Sequence, residues 1–189
     1  SKTDEDATFM RMKEDHMLNG QLKPGYNIQV GTENNFVIGY DVFPNPTDTR
    51  TFIPHLENVQ KRLGCKFKFA IADAGYGSEE NYDYLEKNEI TGIVKYTTYE
   101  KEIKRSFRKK TFNTENWKYD AEQKELLSSE EYKTLMKKRS TECETVFGQT
   151  KGNLGFRRFH LRGKEKVGTE WGLLMLGYDF KQLIRLMNA

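Results

Sequence analysis

Alternation of apolar and polar residues predicts a β-hairpin near the start of the chain. Residues 26–30 read YNIQV, which puts Tyr, Ile and Val on one side of an extended strand. Residues 36–43 form a second apolar-rich stretch, and the residues between the two, ending in ENN, are typical of a turn. A hairpin is therefore expected over 26–43. Residues 1–24 have no clear period and are expected to form an irregular arm.

Two shorter apolar runs predict further strands. Residues 67–72 read FKFAIA and end at Asp73, and residues 91–95 read TGIVK. Residues 74–77, AGYG, follow the first run and predict a loop that needs backbone freedom.

Capping residues and helical periodicity predict four helices. The expected helices are 47–62, capped by Thr47 or Asp48; one that starts after Ser78; 128–151; and 164–187. In the last of them, one side carries Trp171, Leu174 and Tyr178, and the opposite side carries Leu176, Phe180, Leu183, Ile184 and Met187. A helix that is apolar on both sides is expected to be buried between layers. The order of elements predicts a single α/β domain over 1–189, with a mixed sheet and helices on both faces.

Composition excludes several classes of protein. The chain has 189 residues, 31% of them charged and 13% aromatic, which is too aromatic for a disordered chain. No apolar run is long enough to span a bilayer. Two cysteines cannot form a disulfide framework or a four-ligand zinc site, and they fit a reducing cytoplasm.

The net charge of +3 hides two basic runs, residues 101–110 and 151–166. Basic side chains release counterions when they meet phosphates, and Phe156 and Phe159 in the second run could stack on unpaired bases. A solvated loop is the alternative for either run alone. Two runs that flank one candidate site favour nucleic acid as a partner.

Two carboxylates carry the candidate chemistry. Asp73 ends a buried strand, so it needs a cation, a metal or loop N–H groups from Gly75 or Gly77 as a partner. On the helix 128–151, Lys137, Ser140, Glu144 and Lys151 form a stripe along the edge of the apolar face, whereas Glu142 points elsewhere and is expected to pair with Arg139. An Asp on a strand and a Glu on a helix suit a two-metal site that cleaves phosphodiesters with Mg²⁺ or Mn²⁺. A solvated helix charge is the alternative for Glu144.

These segments resemble a known family. Residues 72–77, ADAGYG, resemble the segment that carries the second catalytic Asp of bacterial insertion-sequence transposases of the DDE type, and residues 144–151, ETVFGQTK, resemble their third motif. Residues 23–27, 44–50 and 152–163 resemble flanking family segments in the same order.

The resemblance implies an RNase H-like fold, cleavage of DNA at transposon ends, and transfer of a 3′-hydroxyl into target DNA. It implies that Asp73 and Glu144 are catalytic and hold Mg²⁺ or Mn²⁺, and that Lys151 contacts DNA phosphate. Further DNA contacts are expected from Lys137, Arg157, Arg158 and Arg162. Bacterial transposases of this type act in the cytoplasm at the nucleoid, as homodimers or higher assemblies on DNA.

The chain departs from the family pattern in three places. No Asp matches the first catalytic Asp, which is expected on a strand upstream of Ser1, so the catalytic domain is expected to be incomplete and inactive alone. The variable segment 97–124 stands where relatives carry a cysteine-rich insertion. The family Tyr and Arg that precede the Glu would fall at Lys137 and Ser140, while Arg139 is expected to face the apolar side. A DNA-binding remnant without catalysis and a non-transposing RNase H-like nuclease are therefore the alternatives.

Overall fold

Six strands pair two by two in the part of the chain that the structure, a computed structural model, describes: residues 2–11, 20–95, 125 and 129–188. The strands are β1 (Thr8–Arg11), β2 (Leu22–Gly25), β3 (Asn27–Glu33), β4 (Phe36–Phe43), β5 (Phe69–Ala72) and β6 (Thr91–Val94). The helices are α1 (Phe52–Leu63), α2 (Glu79–Lys87), α3 (Glu130–Gly148) and α4 (Lys164–Met187). Expected features of 97–124, including the basic run 101–110, lie outside the described residues.

The predicted hairpin is confirmed and the predicted arm is partly wrong. β3 and β4 pair antiparallel, and Asn34 and Asn35 turn the chain with positive φ angles. Within the expected irregular arm, β1 pairs antiparallel with β2. Both strands are short and largely exposed, so they lack the buried face that would give them a readable alternation.

The described residues do not form the single mixed sheet that the sequence predicted. β1–β2 and β3–β4 are antiparallel, β5–β6 is parallel, and the three pairs are separate. None of the described strands joins β3 to β5. The α/β class is thus confirmed at the coarse level of a helix-rich chain with small sheets.

Helices cover both faces of the β5–β6 pair. Ala70 and Ala72 of β5 point into a core with α1 and α2 that includes Phe52, Tyr82 and Leu85. The alternate residues Ile71 and Ile93 point the other way, against Tyr132, Leu135 and Met136 of α3. Period-2 alternation of strand side chains separates these two cores.

The helices α3 and α4 also cover the β3–β4 hairpin. Val146, Trp171, Met175 and Tyr178 form a buried cluster that packs against Ile28, Val30, Val37 and Tyr40. Because α3 contributes to this cluster and to the one around Ile93, it connects the hairpin to the parallel pair.

Two predicted helix ends are wrong. α1 begins at Phe52 instead of Thr47 or Asp48, because the Thr51 backbone N–H and hydroxyl both bond to the Asp48 carbonyl in a preceding turn. α3 ends at Gly148 and continues as a π-helical turn, Gln149–Asn153. Glu144 therefore lies on α3, whereas Lys151 lies on the π-helical turn that follows it.

The fourth helix is buried on one side only. Trp171 and Tyr178 face the core as expected, with Leu174 half-buried beside them and Met175 buried as well. The opposite side, expected to be buried between layers, is exposed. Among the described residues, no helix is both long enough and apolar enough to cross a membrane.

Candidate functional site

Asp73 lies at the carboxyl end of β5, where the chain turns into a single 3₁₀ turn, Ala74–Tyr76. Its Oδ1 accepts a hydrogen bond from the Gly75 N–H at 2.9 Å. Its Oδ2 lies 3.7 Å from Nη1 of Arg139 on α3. The loop N–H and the cation that the sequence left as alternatives are thus both present. The Asp73 side chain is 51% exposed, so a ligand can reach it.

A second carboxylate, Asp48, stands next to Asp73. A Cβ placed on Gly75 would lie 3.1 Å from Asp73 Oδ1 and 3.2 Å from Asp48 Oδ2, so both carboxylates border the same point. A side chain at position 75 would crowd both carboxylates, which would have to move by a few tenths of an ångström. The hydroxyl of Thr49 also donates to the Gly75 carbonyl at 3.0 Å.

Amide side chains from β3 hold Asp48 in place. Its Oδ1 accepts hydrogen bonds from Asn27 Nδ2 at 2.8 Å and from Gln29 Nε2 at 3.1 Å. Gln29 is only 2% exposed, and its Oε1 accepts from the Tyr76 hydroxyl. This chain of bonds links the β3–β4 hairpin to the loop that carries Asp73.

The environment of Tyr76 shows how much negative charge gathers here. Burial raises the pKa of the Tyr76 hydroxyl, and the carboxylates of Asp48 and Asp73 raise it further, while Arg139 opposes them. Tyr76 therefore stays a hydrogen-bond donor toward Gln29 at neutral pH.

Arg139 does not behave as the sequence suggested. It was expected to pair with Glu142, but its guanidinium lies beside Asp73. Its side chain is only 22% exposed, in keeping with the expected apolar side. Glu142 is buried and lies 3.6 Å from Lys138. Arg139 Nε is also buried without a hydrogen-bond partner. The site therefore has a cation next to Asp73 at a position where sequence reasoning placed none.

Glu144 lies on the α3 row formed by Met136, Ser140 and Glu144, four residues apart. Met136 at the start of this row packs against the cluster around Ile93, so the row begins on the β5–β6 side of the helix. The Ser140 hydroxyl donates to Glu144 Oε1 at 2.8 Å. The Glu144 side chain is otherwise exposed.

The donor set suits a hard cation. Carboxylate oxygens are the ligands that Mg²⁺ and Mn²⁺ prefer, and Mg²⁺ is commonly bound through one or two carboxylates completed by waters and substrate phosphates. Asp73 and Glu144 could each supply such an oxygen. In the described part of the chain, no group of three or more His, Cys, Asp or Glu side chains is arranged to hold a metal.

The expected DNA contacts lie on exposed surface. Lys137 is exposed on α3, and Lys151 is exposed on the π-helical turn. Residues 154–163 form the loop before α4, which carries three exposed arginines, Arg157, Arg158 and Arg162.

Aromatic packing and Glu170 hold this basic loop to α4. Phe156 and Phe159 pack against Trp171, with ring centroids 5.7 and 6.1 Å away, so they anchor the loop where the sequence suggested that they stack on bases. Glu170 accepts hydrogen bonds from the backbone N–H groups of His160 and Leu161. Burial opposes ionisation of Glu170, but these bonds and the His160 ring outweigh it, and the pKa of Glu170 is lowered.

Sequence reasoning missed Asp48 as part of the site and treated it as a helix cap. A signal was available on β3: Asn27 and Gln29 are two residues apart, so both amides point to the same side of the strand. A buried amide requires a hydrogen-bond partner, and an acidic side chain is a suitable one. The contact between Arg139 and Asp73 had no comparable signal.

Comparison with known proteins gives one finding. Neither the curated proteins nor the solved structures that were compared with the chain include a match. The family model described as "Transposase DDE domain" matches residues 1–180, nearly the whole chain. The chain therefore belongs to the DDE transposase domain family.

Proposed function

We propose that this chain is catalytic-domain sequence of a bacterial insertion-sequence transposase, which cleaves DNA at transposon ends and transfers the strand to target DNA. Family membership supports DNA transposition as the process. The observation that carries the site assignment is Asp73, a reachable carboxylate at the end of a parallel strand with a cation beside it. Carboxyl ends of strands in α/β proteins are common places for active sites.

Asp73 and Glu144 are the residues proposed to hold Mg²⁺ or Mn²⁺. The bound ions would activate the attacking oxygen and neutralise charge on the phosphate. Gly75 N–H fixes the Asp73 carboxylate, and the Ser140 hydroxyl fixes that of Glu144, so each carboxylate is oriented before a ligand arrives. Asp48, held by two amides, adds negative charge on the far side of Gly75.

Arg139 is proposed to grip the scissile phosphate. Its distance of 3.7 Å from Asp73 is a loose ion pair, longer than a hydrogen bond, and its Nε has no partner. A guanidinium in this state can turn to a phosphate oxygen and gain bidentate hydrogen bonds. Lys137, Lys151 and the arginines of the basic loop are proposed to bind the flanking DNA backbone.

An RNase H-like arrangement is the proposed architecture. α3 packs against both the β3–β4 hairpin and the β5–β6 pair, which supports their being parts of one layered unit. An RNase H-like sheet would need a further strand to join the two pairs, and the described residues supply none.

Metal binding and DNA nicking test the proposed site separately. Mn²⁺ titration of the 189-residue chain, followed by calorimetry, is expected to show binding that Asp73→Asn and Glu144→Gln each weaken at least about tenfold. Asp83→Asn on α2 and Glu131→Gln on α3 are the matched controls, and both should bind Mn²⁺ as the unchanged chain does. Equal Mn²⁺ affinity in all five proteins would contradict the metal site.

Nicking of DNA that carries a transposon end distinguishes the alternatives. Mn²⁺-dependent nicking that Asp73→Asn abolishes would refute a non-catalytic remnant. Salt-sensitive DNA binding without nicking fits both a remnant and an incomplete catalytic domain, which the Mn²⁺ titration then separates. Nicking without strand transfer from a pre-cut end would indicate an RNase H-like nuclease.

A further inference from the structure

Asp48 approaches the proposed metal site from the segment between β4 and α1. The point where a Cβ on Gly75 would lie is 3.1 Å from Asp73 Oδ1 and 3.2 Å from Asp48 Oδ2. Position 75 is exposed, and the glycine there leaves this point open. Both carboxylates therefore border one small space that a ligand can enter from solvent.

One oxygen of the Asp48 carboxylate is held in place and the other is not. The side-chain amides of Asn27 and Gln29 both donate to Oδ1, at 2.8 and 3.1 Å. None of the described residues donates a hydrogen bond to Oδ2, which is the oxygen that borders the space beside Gly75. The carboxylate is thus fixed with its second oxygen available to a ligand.

A buried side chain fixes the two loops that carry these carboxylates. Asn81 of α2 is only 1% exposed, and its Nδ2 donates to the Thr49 carbonyl at 3.0 Å and to the Tyr76 carbonyl at 2.7 Å. It thereby joins the residue after Asp48 to the turn after Asp73. Because the two carboxylates are positioned before a ligand arrives, binding requires little further ordering.

The negative charge around this space exceeds the positive charge. Two carboxylates held close together repel each other unless a cation lies near both. Arg139 Nη1 lies 3.7 Å from Asp73 Oδ2, and in the described part of the chain no Lys, Arg or His side chain forms an ion pair with Asp48. A divalent cation would offset the excess, and carboxylate oxygens are the ligands that a hard cation prefers.

We propose that Asp48 Oδ2 is a further metal ligand of the Asp73 site. The inference rests on the proposed function and adds a residue that the family resemblance does not include. In two-metal sites the ions lie ~3.5–4 Å apart, and Mg²⁺ has its oxygen ligands ~2.0–2.1 Å away, so oxygens on neighbouring ions can be up to about 8 Å apart. Asp48 Oδ2 and Asp73 Oδ1 fit within that span, because both lie within 3.2 Å of the same point.

Mn²⁺ titration by calorimetry tests Asp48 separately from the rest of the site. Asp48→Asn keeps one oxygen that Asn27 and Gln29 can bond to and removes the other, so the Mn²⁺ dissociation constant should rise at least about tenfold. Asp83→Asn on α2 is the matched control and should bind Mn²⁺ as the unchanged chain does. Normal binding by Asp48→Asn but not by Asp73→Asn would overturn this inference and leave the proposed function standing. Normal binding by both variants would overturn the two together.

An exchange of ligand type distinguishes direct binding from a mere loss of charge. Thiolates prefer softer metals than Mg²⁺ or Mn²⁺, so Asp48→Cys is expected to bind Cd²⁺ at least about tenfold more tightly than Asp48→Asn does, with a thiolate-to-metal absorbance band. Asp83→Cys, which shares the background of Cys65 and Cys143, should show no such gain. Equal Cd²⁺ affinity of Asp48→Cys and Asp48→Asn would show that Asp48 acts only through its charge, against the proposal.

NMR of the unchanged chain keeps the test decisive if the Asp48 variants do not fold. Bound Mn²⁺ broadens the signals of nearby groups, and the side-chain amides of Asn27 and Gln29 are bonded to Asp48. Their signals should disappear early in a Mn²⁺ titration, before that of the Asn88 side-chain amide at the C-terminal end of α2. If the Asn27 and Gln29 signals broaden no earlier than that of Asn88, Asp48 is not a ligand.

Discussion

Individual side chains around Asp73 have distinct tasks. The Gly75 N–H orients the carboxylate, Arg139 balances its charge, and Asp48 brings a second negative charge close to it. Because Asp73 is half exposed, its ion pair with Arg139 is screened by solvent and can be exchanged for a ligand. The better-buried groups, Gln29 and Tyr76, keep the geometry.

Replacing Tyr76 by Phe should change the response of stability to alkaline pH. The pKa of Tyr76 is raised in the folded state, above an ordinary value near 10. The stability that depends on this proton is fully present below pH 10 and is lost as the pH rises toward the folded-state pKa. Between pH 10 and 11, the free energy of unfolding of the unchanged chain should therefore fall more than that of Tyr76→Phe, by up to ~1 kcal/mol. Urea unfolding at each pH measures it.

The same pair of proteins at pH 7 provides the control. At pH 7 the two proteins differ only in the hydrogen bond from Tyr76 to the buried Gln29. Its loss in Tyr76→Phe should lower the free energy of unfolding by about 1–3 kcal/mol. Parallel pH curves for the two proteins would contradict the assignment.

At the scale of elements, α4 is capped by residues far away in the sequence. The Gly163 N–H donates to Asp4 Oδ2 and the Lys164 N–H donates to Asp6 Oδ2, so the acidic start of the chain lies against the positive end of the helix dipole. These two carboxylates therefore cap the start of α4, since Gly163 at the N-cap position has no side chain to do so.

Removing one of these caps should destabilise the fold measurably. Asp6→Ala is expected to lower the free energy of unfolding by about 0.5–2 kcal/mol, because the Lys164 N–H loses its acceptor. Glu5→Ala removes a neighbouring exposed acid and should change stability by less than about 0.5 kcal/mol. Urea unfolding at pH 7 measures both, and equal effects would argue against the cap.

Two glycines of α4 provide a matched test of how the helix packs. A Cβ on Gly172 would overlap the Tyr40 hydroxyl and lie 2.9 Å from Tyr40 Cζ, whereas one on Gly177 would meet nothing within 4 Å. Gly172→Ala should therefore destabilise the protein by about 1–2 kcal/mol despite the better helix propensity of Ala. Gly177→Ala should stabilise it by about 0.5–1 kcal/mol. Thermal unfolding compares the two, and stabilisation by both would mean that α4 lies farther from β4.

At the scale of the whole molecule, the distribution of charge over the surface matters more for DNA binding than the net charge. A net charge of +3 is small, but the arginines of the basic loop are held together by the contacts of Glu170 and Trp171. Such a fixed group of cations can neutralise several phosphates at once.

The salt dependence of DNA binding should report this arrangement. The double variant Arg157→Ala/Arg158→Ala is expected to reduce the slope of log K against log salt by about 2. Lys61→Ala/Lys66→Ala removes the same charge from another surface and should leave the slope unchanged. Fluorescence anisotropy on duplex DNA between 50 and 200 mM salt measures it, and equal slopes for the two double variants would place the DNA elsewhere.

Local patterns by themselves determined much of the fold. The hairpin, the strands that became β5 and β6, the Ser78 cap of α2 and the span of α4 follow from alternation, turn residues and capping, which act over a few neighbours. The family segments and the coarse α/β class were readable for the same reason. The roles of Asp73 and Glu144 stay predictions.

Only the tertiary structure decided which groups meet. The bond of Gln29 to Tyr76 and the contact of Arg139 with Asp73 join residues 47 and 66 positions apart, and no local pattern encodes such distances. Burial of α4 was overestimated because a helical pattern gives the apolar sides but not what covers them. The exposed side of α4 and the place of Asp48 next to Asp73 thus arise from packing between elements, which depends on the whole chain at once.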